Sequence, residues 1–234
     1  MQPRITATVV HRTAATSDIV ILDFNVEDTS YTYTAGQYIT VFFDDTDVAQ
    51  GKAYSLSSSP HDGHLSITVK KIGLFSGKLH ALRVGDQFAI STPYGFFNAK
   101  NNKPVIAIAA GVGIAPIWSI IRYAYAQDGY HQPTRLLYSN ASHDDIVFRT
   151  KIDELAAHNA SFQRTFFVTR QPHQNDTSRR IDLALDLTPE VMTADTYCFY
   201  VCGSADFVRS MWRQLTQLGV GERNISTETF FEAA

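Results

Sequence analysis

Two stretches of this chain carry residue types that could hold charged, planar ligands. In Lys52-Ala53-Tyr54-Ser55-Leu56-Ser57-Ser58, a strand would place Lys52 and Tyr54 on one face and Ala53 and Ser55 on the other. That combination offers a cation for a phosphate, an aromatic platform and hydroxyls for the edge of a ring. In Val105-Ile106-Ala107-Ile108-Ala109-Ala110-Gly111-Val112-Gly113-Ile114-Ala115-Pro116, an apolar run breaks at glycines and restarts as a helix. Glycines let the backbone turn sharply and approach a ligand closely. Pro116 suits a first helical turn, where its missing N–H has no intrahelical partner. The N–H groups and positive end of such a helix favour a pyrophosphate. A third stretch, Gly73-Leu74-Phe75-Ser76, suggests Ser76 as the N-cap of a short helix over 76–82, whose first N–H groups can bind an anion.

The elements that must position these residues fall into two patterns. Runs at 5–11, 18–25, 37–43, 53–57 and 65–70 are short and rich in β-branched and aromatic residues. Turn chemistry separates them at Ala35-Gly36, Asp44-Asp45, Pro60-His61-Asp62-Gly63 and Val84-Gly85-Asp86. This spacing predicts a small antiparallel barrel. The polar stretch 98–104 reads as a linker, which divides the chain into residues 1–99 and 103–234. Beyond it, strands at 105–109, 134–139, 162–169, 197–202 and 224–230 alternate with helices at 116–126, 145–158 and 205–218. That alternation implies a parallel sheet covered by helices.

Composition excludes several classes. The 234 residues carry a net charge of −3 with no basic block, so a nucleic-acid binder is not expected. Cys198 and Cys202 cannot hold an iron–sulfur cluster, which takes about four ligands. Residues 105–126 are apolar, but Gly111, Gly113, Pro116 and Arg122 interrupt them, so no membrane span is expected. The N-terminus lacks the apolar core of a signal peptide, and a cytoplasmic protein is expected. The histidines show no metal-ligand spacing, and no metal is expected.

Taken in order, these motifs resemble the ferredoxin–NADP reductase superfamily of flavoprotein reductases. Its members show Arg-x-Tyr-Ser, Gly-x-x-Ser, Ala-Gly-Gly-x-Gly-Ile-Ala-Pro, Cys-Gly and a late Glu-x-aromatic. This chain has Lys52-Ala53-Tyr54-Ser55, Gly73 to Ser76, Ala109 to Pro116, Cys202-Gly203 and Glu228-Thr229-Phe230. The resemblance implies a six-stranded antiparallel flavin-binding barrel followed by a parallel-sheet NAD(P)-binding domain, with no iron–sulfur domain of its own. It implies FAD as cofactor and NADPH or NADH as hydride donor. It places Tyr54 against the flavin ring and Ser55 near its N5. Lys52 and Ser76 meet the flavin phosphates, with Ala53, Ser58, Val69 and Gly73 among the flavin contacts. Gly111, Gly113, Ile114 and Pro116 hold the dinucleotide. Cys202, Gly203 and Glu228 flank the nicotinamide, and Phe230 covers the flavin. Ser55, Cys202 and Glu228 are the implied catalytic residues.

Arginines at 170, 179 and 180, with Ser139, suggest a place for a 2′-phosphate and a lean toward NADPH. The implied electron acceptor is a separate carrier such as a ferredoxin or flavodoxin. Free flavin is the alternative acceptor, and a redox-sensing subunit without turnover is the alternative role. Three departures stand out: Lys52 replaces the expected Arg, Ala110 a Gly and Ser204 a Pro. Ala110 is acceptable if its φ is negative.

Overall fold

The computed structural model describes residues 4–28, 30–44, 48–98, 103–127, 129–130, 132–187 and 196–230. The linker expected over 98–104 lies partly outside these residues. By backbone proximity the chain forms two compact units. One holds the antiparallel strands and the helix Leu74–Ala81 together with Trp118–Gln127; the other holds the parallel strands and the helices beyond residue 128.

The first unit is built on six strands: β1 (Ile5–Ala14), β2 (Ile19–Val26), β3 (Tyr38–Phe42), β4 (Lys52–Ser55), β5 (Leu65–Lys70) and β6 (Gln87–Ile90). Their order is β4-β3-β6-β1-β2-β5, and the pairs are antiparallel. A bridge between Leu56 and Ile67, and the Ser57 N–H donated to Ser66 O at 2.8 Å, join the two edges into a barrel. Alternation explains the core. Val20, Leu22 and Phe24 of β2, and Leu65, Ile67 and Val69 of β5, all turn inward. Each buried aliphatic or aromatic side chain of this kind contributes about 1.5–3 kcal/mol. Helix α1 (Leu74–Ala81) sets Phe75 and Leu79 into the same core.

The second unit is a five-stranded sheet of β7 (Val105–Ala110), β8 (Thr134–Ser142), β9 (Phe162–Gln171), β10 (Cys198–Ser204) and β11 (Ile225–Phe230). All pairs are parallel, in the order β11-β10-β7-β8-β9. The central strand β7 is buried from Val105 to Ala109, as a strand covered on both faces must be. Among the described residues, four helices follow strands of this sheet: α2 (Ile114–Tyr125), α3 (Arg149–His158), the short α4 (Leu183–Asp186) and α5 (Ala205–Gln217). Successive strands run outward from β7 through β8 to β9, and the chain then returns to β10 on the other side. The order reverses between β7 and β10, and in open α/β sheets ligands bind beyond the strand ends at such a point.

The second half of α2 is fixed to the barrel loop 57–62. Ser119 Oγ donates to Ser58 O, and Arg122 makes a two-pronged contact with the Asp62 carboxylate, its Nη2 donating to Oδ1 at 2.6 Å. His61 stacks on Tyr123, with ring centroids 5.2 Å apart. Arg122→Ala leaves Asp62, only 9% exposed, without its counter-charge. The expected loss is about 1.5–3 kcal/mol, the range for a hydrogen bond to a charged group. Urea denaturation checks this; an unchanged midpoint would show that the pair is dispensable.

Candidate functional site

The flavin-side residues predicted from sequence gather on β4 and α1. Lys52 and Ala53 are exposed, Tyr54 is half-buried and Ser55 is buried. The Tyr54 ring stacks on Phe75, with centroids 6.4 Å apart and planes 20° apart. Burial pushes the Tyr54 phenol above its ordinary range, so it stays neutral. Ser76 is not the N-cap expected from sequence. The helix starts two residues earlier, Gly73 is its cap, and Ser76 lies in the first turn. The Ser76 hydroxyl instead accepts the N–H groups of Ile72 at 2.9 Å and Gly73 at 3.1 Å. That ties down the approach to the helix and leaves the N–H groups of Leu74, Phe75 and Ser76 without intrahelical partners. No acidic residue sits in this first turn to offset the positive end.

Two flavin-side expectations fall on residues engaged elsewhere. The Ser58 hydroxyl is 2.7 Å from the Tyr33 hydroxyl and accepts the Ser66 N–H at 3.0 Å. The Val69 side chain lies in the barrel core, and its carbonyl lies 2.9 Å from His80 Nε2.

The fold nevertheless fits a flavin. Ser57 and Thr68 are buried hydroxyls without a hydrogen-bond partner among the described residues. They alternate with the core residues Leu56, Ile67 and Val69, so they share the opposite face with Ser55. Buried polar groups left alone cost about 1–3 kcal/mol each, and a polar ring edge would satisfy them.

On the coenzyme side, β7 ends in a 3₁₀ turn, Gly111–Gly113, which runs directly into α2. The helix therefore begins at Ile114, and Pro116 is its third residue rather than its first. Ala110 has φ −132°, so a side chain is accommodated there. Gly111 has φ +52°, a left-handed conformation that a Cβ disfavours. Gly113 is needed for a different reason. A Cβ on it would lie 2.4 Å from Cys202 O and 2.7 Å from Gly203 N. The turn is packed directly on the Cys202-Gly203 backbone. Tyr138 Oη donates to Gly111 O at 2.9 Å and props the turn from β8.

Cys202 and Glu228 are register partners on β10 and β11. Cys202 is fully buried. Burial first, and the Glu228 charge second, push its thiol well above the ordinary value, so it is a neutral group and not a thiolate. Ser204 pairs with Phe230 two residues on, and Ser204 also N-caps α5. Gly111, Gly113, Cys202, Gly203 and Glu228 thus meet at the carboxyl end of the sheet, where the strand order reverses. A cradle of two glycines before a helix N-terminus fits a dinucleotide pyrophosphate.

The adenosine-side residues are more dispersed. Ser139 is half-buried and lies between Ala110 of β7 and Phe167 of β9. Arg170 and Arg180 are exposed. Arg179 is engaged with Asp186 through both guanidinium nitrogens, Nη1 to Oδ2 at 3.0 Å, and lies 5.2 Å over the Phe167 ring. Sequence reasoning missed Asn140, which is 6% exposed and whose two amide atoms find no partner among the described residues. It also missed a cluster beside it in sequence, where His143 and Arg149 both meet Asp176, at 2.7 and 3.0 Å. Burial alone would raise the Asp176 carboxyl, but the His173 N–H, His143 and Arg149 outweigh it and hold it at about 2.

Comparison with known proteins finds two matching families. Residues 6–99 match the oxidoreductase FAD-binding domain family, and residues 107–213 match the oxidoreductase NAD-binding domain family. The chain is 31% identical over 211 residues to a flavohemoprotein of Bacillus subtilis, covering 85% of this chain and 51% of that protein. It is 27% identical over 210 residues to the toluate 1,2-dioxygenase electron transfer component of Pseudomonas putida, covering 86% of this chain and 60% of that protein. The chain thus spans about half the length of the curated relatives it matches. In fold it is similar to the FAD/NAD-binding domain of nitric oxide dioxygenase from Vibrio cholerae, with a TM-score of 0.86 at 24% identity, covering 98% and 99% of the two chains.

A barrel of the FAD-binding family followed by a sheet of the NAD-binding family defines a flavin-dependent, pyridine-nucleotide oxidoreductase. The chain carries an oxidoreductase FAD-binding domain and an oxidoreductase NAD-binding domain, and its cofactors are FAD and NAD(P)H. Among the described residues no helix is long and apolar enough to cross a membrane.

Proposed function

We propose that this chain takes hydride from NAD(P)H and passes electrons to a separate carrier such as a ferredoxin or flavodoxin. The observation that carries the reading is the Cys202–Glu228 pair set against the Gly113 turn at the switch point of the sheet. The similarity to a protein named as a dioxygenase electron transfer component supports a partner as acceptor. When bound, FAD supplies an acceptor for an electron pair that can be given up one electron at a time.

The chain's own part is positioning. Lys52 and the α1 N–H groups bind the FAD phosphates; Tyr54 packs on the ring and Ser55 meets its edge. Gly111, Gly113 and the start of α2 hold the NAD(P)H pyrophosphate. Cys202 presents a small neutral wall to the nicotinamide, and Glu228 places a carboxylate where positive charge develops as hydride leaves. With Arg179 held by Asp186, Ser139, Arg170 and Arg180 are the proposed 2′-phosphate contacts, which favours NADPH. Anaerobic addition of NADPH or NADH to the yellow protein tests the reading, by bleaching of the flavin and recolouring by an oxidised carrier. If neither coenzyme bleaches it, the reading is wrong.

A second reading, free flavin as substrate, is favoured by the exposed Lys52 in place of a phosphate-gripping arginine. A protein that elutes colourless from gel filtration would support it.

Asn140 gives a prediction of crossed sign. Its unsatisfied amide stands on β8, two residues after Tyr138, the residue that props the Gly111 turn. The proposed partner is the coenzyme, reached when the side chain turns as the nucleotide binds. Asn140→Ser should leave the protein as stable or more stable by up to about 1 kcal/mol, since an unpaired buried amide is destabilising. The KM for coenzyme should rise about tenfold, the loss expected for one hydrogen bond. A destabilised variant with unchanged KM would make Asn140 a structural residue.

A further inference from the structure

Phe43 and Phe75 lie in contact, with ring centroids 5.1 Å apart. Each carries a lysine. Lys52 Nζ lies 5.7 Å from the Phe75 centroid, and Lys78 Nζ lies 5.7 Å from the Phe43 centroid. Strand β4 and helix α1 therefore each lend a cation to one aromatic surface. Phe75 is the second residue of α1, so that surface adjoins the turn whose N–H groups point outward. Phe75 also stacks on Tyr54, which extends the surface to the proposed ring-binding residue.

A diphosphate presents two anionic centres. An arginine meets such a group with a planar fork, whereas one lysine offers a single point charge. Two lysines approaching from separate elements restore two-point recognition, and the helix N-terminus adds donors between them. Seating each ammonium over a ring limits its motion at little desolvation cost.

We propose that Lys78 acts with Lys52 as a two-lysine clamp for the pyrophosphate of FAD, and that this clamp sets the preference for a dinucleotide flavin over FMN. The proposal rests on the FAD-binding reading of the barrel. Lys78 is a binding residue here, and it takes no part in hydride transfer.

The test is flavin binding to protein stripped of cofactor, followed by quenching of flavin fluorescence, with FAD, FMN and riboflavin as probes at low and high salt. Lys78→Ala and Lys78→Gln should each weaken FAD about tenfold or more at low salt, as expected for a lost charge-assisted hydrogen bond. Riboflavin affinity should not change. Lys78→Arg should retain FAD, and the deficit of the neutral variants should shrink at high salt as the charges are screened. The urea midpoint of each stripped variant reports whether the barrel is intact. Neutral variants that bind FAD within about twofold of wild type, below 0.5 kcal/mol, would overturn the clamp. Equal weakening of riboflavin and FAD would also overturn it, because the defect would then lie at the ring. Wild-type protein that binds neither FAD nor FMN would instead remove the flavoprotein reading beneath it.

Discussion

Gly113→Ala is expected to lose coenzyme binding and to destabilise the second unit, while the protein stays yellow. The added Cβ would sit 2.4 Å from Cys202 O, 2.6 Å from its carbonyl carbon and 2.7 Å from Gly203 N. All three obstacles are backbone, so no side chain can swing aside. Overpacking typically costs about 1–3 kcal/mol, and rigid obstacles push the expectation to the upper end. The turn must lift off β10, and a displacement near 1 Å can reduce a rate about 100-fold. Gly111 provides the internal contrast. A Cβ there meets nothing within 4 Å, but φ is +52°. Gly111→Ala should therefore cost only about 1–2 kcal/mol, the penalty for the left-handed region. Gly111→Asn should recover part of it, since Asn tolerates that region. Gly113→Asn should be worse than Gly113→Ala. Urea midpoints and NADP⁺ titrations of the four variants decide the matter. If both positions respond alike, the two glycines are not serving different physical needs.

The parts of this architecture that were legible in the sequence are those written in local pattern. Alternation in 65–70 gives β5 to the residue, and the apolar run 105–109 ending in glycine gives β7 and its turn. The strand β6, only four residues long, has too little alternation to announce itself. Helix α1 misleads because its first residue, Leu74, is 88% exposed. Reading from apolar spacing, Ser76 looks like the cap, whereas in the folded chain its hydroxyl reaches backward from inside the first turn. Helix α3 starts at Arg149, after Phe148 in a left-handed conformation (φ 61°), although the residues from Asp145 onward have helical composition. A bulky residue at positive φ follows from tertiary packing, which no local propensity encodes.

The site shows the same divide. Cys202 and Glu228 are 26 positions apart, and only the parallel register of β10 and β11 makes them neighbours. Arg179 could be listed among candidate phosphate ligands from its type alone. Its engagement with Asp186 depends on α4, a four-residue helix without a sequence signature. Asn140 was equally silent, because lack of a partner is a property of the fold and not of the residue.

Glu228→Gln should reduce hydride transfer about 100-fold while leaving FAD and coenzyme bound; that is the scale seen when one preorganised electrostatic contact is removed. The substitution keeps the shape of the side chain, so stability should change by less than about 0.5 kcal/mol. The physical reason is directional. The nicotinamide is neutral before transfer and cationic after it, so a nearby carboxylate stabilises the transition state more than the ground state. Single-turnover bleaching of the flavin under anaerobic conditions isolates this step from later electron delivery. A variant that bleaches at the wild-type rate would remove Glu228 from the chemistry. The neighbouring thiol supplies a second readout that does not depend on turnover. Glu228 helps to raise the Cys202 pKa above its ordinary 9.0, although burial is the larger cause. In the unfolded chain this thiol ionises near its ordinary value, whereas in the folded chain it keeps its proton. Folding then retains a proton, so stability is full below that value and falls as pH rises above it. Removing the Glu228 charge should lower the folded thiol's pKa, so that the alkaline decline begins at the same pH but levels off sooner and is smaller, and Cys202→Ala should abolish its Cys202 component. Urea midpoints measured from neutral to alkaline pH in wild type, Glu228→Gln and Cys202→Ala test the ordering. Three superimposable profiles would mean that the carboxylate and the thiol are not coupled across β10 and β11.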